Sequence, residues 1–209
     1  MKSKELFEYL FIKAVDHYYD TINAYKGNAR DIKKADKHMD GFNVLFKNAL
    51  DKKEVVIKEK HKAIIPGAFL NKRWDLACNN SAMELKSIVL SKMGKCFSNR
   101  VEEAIGVAAD LRYGTKGMNL NYFLVVEDDG DTNISSAYNE YTEYVKYQRK
   151  VDKLIGFCEY IEKDLKLYDN VACVLLNNDK SYTFLYSDLH TFLDNWGRGI
   201  SKKRWQFWK

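Results

Sequence analysis

Proline occurs once in these 209 residues, at Pro66, where it stands beside Gly67 and marks a turn. Cysteine is nearly as scarce. Cys78, Cys96, Cys158 and Cys173 are widely spaced and form no C-x-x-C pair. That spacing argues against a zinc site and a disulfide scaffold, and fits buried thiols in a reducing, cytoplasmic setting. No run of 18 apolar residues occurs, so no transmembrane helix is expected. The first twenty residues, MKSKELFEYLFIKAVDHYYD, mix charges into their apolar positions and lack the h-region of a signal peptide. Repeats, low-complexity tracts and linkers are missing too, which leaves one mixed α/β domain over residues 1–209.

What is present is core material. Hydrophobic residues make up 46% of the chain, which predicts a packed globular protein. The net charge of +5 is a mild basic bias, compatible with a polyanionic partner and equally with an ordinary protein surface.

Apolar spacing of three to four residues predicts one helix over 3–26 and a second over 30–51, so that residues 1–52 form a helical segment. The period then changes. Val55–Ile57 and Ala63–Ile65 read as short strands, followed by two more around the polar turn Asn79-Asn80. SKMGKC (91–96) reads as a loop. A helix is expected from Asn99 to Tyr113, with Asn99 as N-cap and Glu102 completing a capping box. Tyr122–Val126 is a continuous apolar run, the mark of a buried central strand, and closes a middle segment, 53–127. In 128–209 a polar loop (127–136), a long helix within 138–167, strands at 171–176 and 182–185 and a short helix at 188–196 are expected.

The stretch WDLACNNSAMELKSIV (74–89) places acids and a lysine among core-like residues. A two-residue turn at Asn79-Asn80 pairs Cys78 with Ser81, Ala77 with Ala82, Leu76 with Met83 and Asp75 with Glu84. Side chains alternate along a strand, so Asp75, Glu84 and Lys86 share one face. Opposed Cβ atoms lie roughly 4.5–5.5 Å apart. Carboxylates that close either shift a pKa or capture a cation, and Mg²⁺ is the natural oxygen-liganded occupant. Lys86 can orient water or offset developing charge, which suits metal-assisted phosphodiester hydrolysis. The acid-x-Lys triplet alone is weak. It also occurs at Asp31, Asp51 and Asp164, all in or beside predicted helices. The competing reading of Glu84 and Lys86 is a surface ion pair.

Four segments in order carry more: PGAFLNKRWDL (66–76), MELKS (83–87), FSNRVEEAIGVAADL (97–111) and LVVEDD (124–129), with MDGF (39–42) before them. Together they resemble the XhoI-like family of type II restriction endonucleases, on the PD-(D/E)XK nuclease fold, over about residues 38–196. The resemblance implies a central mixed sheet flanked by helices. It implies Asp75 and Glu84 as metal ligands, the Leu85 carbonyl as a further ligand, and Lys86 as the catalytic lysine. Glu103 matches an acid of the family motif, placed to approach the metal or its waters; a solvated or capping carboxylate is the competing reading. Asp40 fits a surface role better than a second-metal role.

For DNA, Asn99 and Arg100 at the expected helix N-terminus, with Lys92 and Lys95 in the loop before it, suit phosphate contacts. Base readout is sought in 128–150, at Asn133, Asn139, Lys146, Gln148 and Arg149. The basic tail SKKRWQFWK (201–209) and the tyrosine-rich 138–147 fit packing or interface roles better than base stacking. The resemblance further implies Mg²⁺-dependent cleavage of double-stranded DNA, the palindrome CTCGAG or a relative as target, a homodimer, a bacterial cytoplasm and a companion DNA methyltransferase. Loop 88–96 and the segment after Asp129 depart from the family pattern, so the chemistry carries over more safely than the target. The alternatives are a repair, resolving or modification-dependent nuclease of the same fold, or a non-catalytic DNA-binding homologue.

Overall fold

The structure, a computed structural model, describes residues 4–24, 37–49, 57–59, 63–78, 80–129 and 137–200. In chain order these form helix α1 (Lys4–Ala24), a short 3-10 turn, α2 (Asp40–Ala49), strands β1 (Ile57–Glu59), β2 (Ile64–Pro66), β3 (Asn71–Arg73), β4 (Leu76–Cys78) and β5 (Ser81–Val89), then α3 (Met93–Gly114), β6 (Asn119–Asp128), α4 (Ala137–Glu159), β7 (Asn170–Asn177), β8 (Tyr182–Tyr186) and α5 (Leu189–Gly199). The mixed α/β class with helix-flanked sheet is as the sequence predicts. The turn residue Asn79, Val55, Val56, residues 30–36, most of loop 127–136 and the tail 201–209 lie outside the described residues.

Six strands pair in the order β1-β4-β5-β6-β7-β8. The β4–β5 hairpin has the predicted register, Leu76 opposite Met83 and Cys78 opposite Ser81. β5, β6 and β7 run parallel, joined through α3 and α4, the crossover that parallel pairing requires. β6 lies at the centre and is buried from Leu120 to Val126, longer than the predicted apolar run. Its two faces feed two cores. Phe123 and Val125 meet α1, α2 and α5 on one side, through Phe11, Phe42, Phe46 and Phe192. Leu120, Tyr122, Leu124 and Val126 meet α3 and α4 on the other, through Ala104, Ala108, Leu154 and Cys158. Each large apolar side chain so buried stabilises the fold by about 1.5–3 kcal/mol.

The sheet's alternation assigns the candidate residues to one side. Ala82 and Ile88 of β5 face α3 and α4, so Glu84 and Lys86 face them as well. Leu85 faces the other core. Asp40 opens α2 on that other side and is exposed, in keeping with a surface role. Gly41 beside it explains part of MDGF: a Cβ there would stand 2.9 Å from the Ala14 Cα, so glycine lets α2 cross α1 closely.

Strands β2 and β3 form a separate two-stranded ribbon. The PGAFL loop between them presses on the end of α3. Asp110 accepts the N–H groups of Phe69 (2.8 Å) and Leu70 (3.3 Å), and its carbonyl accepts that of Ala68. A Cβ on Gly114 would lie 2.3 Å from the Ala68 nitrogen, closer than any side chain permits. The ribbon is thereby fixed beside the face that carries Glu84.

Candidate active site

Glu84 is the centre of a cluster built from three separate elements. Its carboxylate is 1% exposed. Lys72 of β3 donates to Glu84 Oε1 at 2.6 Å, and Lys86 Nζ lies 2.9 Å from the same oxygen. The Tyr168 hydroxyl donates either to Glu84 Oε2 (3.2 Å) or to the Ala104 carbonyl (3.1 Å). From α3, Glu103 Oε1 accepts from Lys86 at 2.8 Å and lies 3.7 Å from Lys72, while its second oxygen accepts from Arg100 at 2.9 Å. Arg100 and Glu103 share a helix face through their i, i+3 spacing. A cavity of about 260 Å³ opens beside the cluster, lined by Leu70, Lys72, Trp74, Glu103 and Val107 among others.

Asp75 enters from just before β4. Extending the hairpin register by one step sets it opposite Glu84, and its carboxylate accepts the N–H of Leu85 at 2.7 Å. The reason is local. β4 pairs with β5 only as far as Met83, and among the described residues no strand pairs with the edge of β5 beyond it on that side. Leu85 turns its peptide groups to this edge, and Asp75 takes the N–H that a ladder partner would have taken.

The electrostatics follow from this crowding. Burial opposes the charge on Lys86, but the attraction of Glu84 and the hydrogen bonds to Glu103 and Glu84 outweigh it, and its pKa is raised above the usual 10.5. Burial likewise opposes ionisation of Glu103, yet hydrogen bonding and attraction from Lys86, with Lys72 and Arg100, hold it down at about 2. Burial first and the nearby Glu84 second push the Tyr168 hydroxyl well above its ordinary value, so it remains a neutral donor.

Two expectations need correction. SKMGKC is not a loop: a 3-10 turn at Leu90–Lys92 leads straight into α3 at Met93. Leu90 and Met93 are three residues apart and both bury in the α3-side core, so tertiary packing begins the helix early. Asn99 is therefore no N-cap. It lies exposed within α3, where its capping-box pattern has no free helix end to serve. Arg100 also does not open a helix; it holds Glu103. Lys92 is the exposed N-cap residue of α3, and the side chain of Lys95 lies outside the described residues. Lys72 and Tyr168 were not foreseen. Strand alternation through 71–75 hints at Lys72, which shares its parity with the buried Trp74. Nothing local marks Tyr168, 84 positions from Glu84 in the chain.

A family model described as Restriction endonuclease XhoI matches residues 23–182. The chain belongs to the XhoI restriction endonuclease family. Among curated relatives, the type II restriction enzyme XhoI of Xanthomonas vasicola is 37% identical over 111 residues, covering 44% of this chain and 45% of that protein. The type II restriction enzyme AbrI of Azospirillum brasilense is 34% identical over 116 residues, covering 46% and 52%. The chain thus matches about half the length of these relatives. No solved structure matches.

An XhoI-family chain on this fold invites the question of a metal. Among the described residues no three His, Cys, Asp or Glu side chains gather into a ready-made metal cage. The available donors are the Asp75 and Glu84 carboxylates and the Leu85 carbonyl, which lies on the same strand edge as its N–H. All are oxygens, few in number, and so fit Mg²⁺, which keeps several waters and takes one or two carboxylates.

The depressed pKa of Glu103 predicts an acid dependence of stability. A carboxylate at about 2 folded and 4.5 unfolded contributes fully above 4.5, and its contribution is lost as the pH falls through about 2. Melting curves of wild type and Glu103→Gln should therefore differ most near neutrality and converge towards pH 2. A constant gap would show that Glu103 acts through packing alone.

Proposed function

We propose that this chain is a Mg²⁺-dependent, sequence-specific endonuclease that hydrolyses phosphodiesters of double-stranded DNA, on a core of the PD-(D/E)XK kind. The observation that carries the reading is Lys86 held between Glu84 and Glu103 beside Asp75, in a chain of a restriction endonuclease family. Asp75, Glu84 and the Leu85 carbonyl would hold the ion. Bound there, Mg²⁺ supplies Lewis-acid polarisation of the phosphate and a more acidic water. Lys86 presents a fixed ammonium to the negative charge that develops on the phosphate oxygens. Glu103 and Glu84 position that ammonium, and Arg100 anchors Glu103. Lys92, exposed at the N-cap of α3, Asn99, exposed within it, and Lys95 between them are proposed to meet backbone phosphates.

A two-fold symmetric target such as CTCGAG or a relative is most simply cut by a homodimer with one site per subunit. A companion DNA methyltransferase and a bacterial cytoplasm belong to the same proposal. Among the described residues no helix is long and apolar enough to cross a membrane. The test is digestion of unmethylated phage DNA with Mg²⁺, followed by sequencing of the ends. A fixed palindrome at every end is expected. Random nicks, or cutting confined to branched or modified DNA, would replace the restriction reading with another nuclease task.

A further inference from the structure

Glu84 is the shared acceptor of two lysines, and the two are held differently. Lys86 stands on the central sheet and is anchored a second time by Glu103 at 2.8 Å. Lys72 comes from the outlying β2–β3 ribbon, lines the cavity, and has Glu84 at 2.6 Å as its near partner, with Glu103 at 3.7 Å. Its ammonium thus sits on the oxygen that a metal ion would need. A buried carboxylate at 1% exposure requires a compensating charge at all times. An ammonium and a divalent ion on one carboxylate oxygen repel each other strongly.

From this geometry we infer that Lys72 is the site's internal counter-ion: it neutralises Glu84 in the cation-free protein, and a divalent cation binds there only by displacing it. The inference rests on the metal-site reading above and deepens it. Lys72 is thus a positioning residue that sets the affinity for the ion. Its ammonium stands over the Trp74 ring, 5.8 Å from the centroid, and the adjoining cavity, which both residues line, gives the displaced ammonium somewhere to go. Lys86 keeps Glu103 as a partner when Glu84 turns to the ion, so only one of the two lysines has to leave.

Direct binding of Mn²⁺ tests this without any cleavage assay. Free Mn²⁺ is counted by its EPR signal in titrations of the wild-type chain, Lys72→Met, Lys72→Arg and Glu84→Gln. Lys72→Met keeps a long unbranched side chain and removes the charge. Its Kd for Mn²⁺ should fall about tenfold or more, the size of effect that groups touching metal ligands have on affinity. Lys72→Arg should stay near wild type, and Mn²⁺ should raise the melting temperature of Lys72→Met more than that of wild type. Wild-type binding with an unchanged or weaker Kd in Lys72→Met overturns the role of Lys72 and leaves the metal site standing. Equal tightening by Met and Arg also overturns it, since packing and not charge would then be responsible. If neither wild type nor Lys72→Met binds Mn²⁺, or if Glu84→Gln binds it as well as wild type, the metal-site reading itself falls and this inference with it. If Lys72→Met does not fold, Lys72→Gln carries the same comparison.

Discussion

Lys86→Ala should slow DNA cleavage by at least about 10²–10³-fold, the usual loss when one preorganised donor to a developing oxyanion is removed. The fold should survive the change. The side chain of Lys86 is 18% exposed. When it is removed, Glu84 retains Lys72 and the Tyr168 hydroxyl, and Glu103 retains Arg100. No carboxylate is left buried without a partner, so the several kcal/mol that such an orphan costs is avoided. Lys86→Arg should not restore the rate. A planar guanidinium cannot hold the compact three-way geometry in which one nitrogen sits 2.8–2.9 Å from two carboxylates. Single-turnover cleavage at saturating Mg²⁺, set beside a melting curve, separates chemistry from stability. Near wild-type cutting by Lys86→Ala would show that the active site lies elsewhere.

Trp196→Ala should cost about 3–5 kcal/mol of folding free energy, the range for emptying a large aromatic site. Trp196 of α5 is 1% exposed and meets Phe46 edge-on with ring centroids 5.8 Å apart. Its indole N–H also donates to Ser81 Oγ at 2.9 Å, tying α5 to the first residue of β5. Ser81 belongs to a buried polar group. Asn121 Nδ2 shares its two N–H groups among Ser81 Oγ (2.9 Å), the Ala82 carbonyl (3.1 Å) and Asn119 Oδ1 (2.8 Å), and Asn170 donates to the Phe192 carbonyl (2.8 Å). Truncation therefore leaves a cavity on one face of the sheet and thins a hydrogen-bonded network on its end. Trp196→Phe keeps most of the ring and loses one hydrogen bond, so it should cost roughly 0.5–1.5 kcal/mol for that bond, with a smaller cavity cost added. Urea unfolding of the two variants checks both the size and the order of these effects. Equal losses would mean that the hydrogen bond to Ser81, and not the packed ring, fastens α5.

Several features could be read directly from the residues. The pairing of β4 with β5 follows from Asn79-Asn80 and an alternation that allows one register without exposing the core. β6 over Tyr122–Val126 and β7 over Val171–Leu176 are apolar without interruption because parallel strands are covered on both faces. The helix α5 follows from its spacing and from Asp188, whose side chain accepts the Thr191 N–H and caps it. The beginning of α3 could not be read in the same way. Its local capping pattern at Asn99 is sound in isolation, and it is overruled by Leu90 and Met93 burying against a core assembled from distant strands.

The same division runs through the candidate site. The sequence by itself determined that Glu84 and Lys86 share one face of β5 and that Asp75 leads into the strand paired with it, because strand alternation acts over neighbouring residues. The tertiary structure alone decided that this face is buried under α3, that Glu103 and Arg100 arrive there from one helix face, and that Tyr168 completes the hydrogen bonding. It alone also placed Lys72 on Glu84, since that depends on how Asp110 and Gly114 dock the ribbon against α3. Contacts made across the chain are chosen by packing and by the need of a buried charge for a partner, and neither is written in the spacing of adjacent residues.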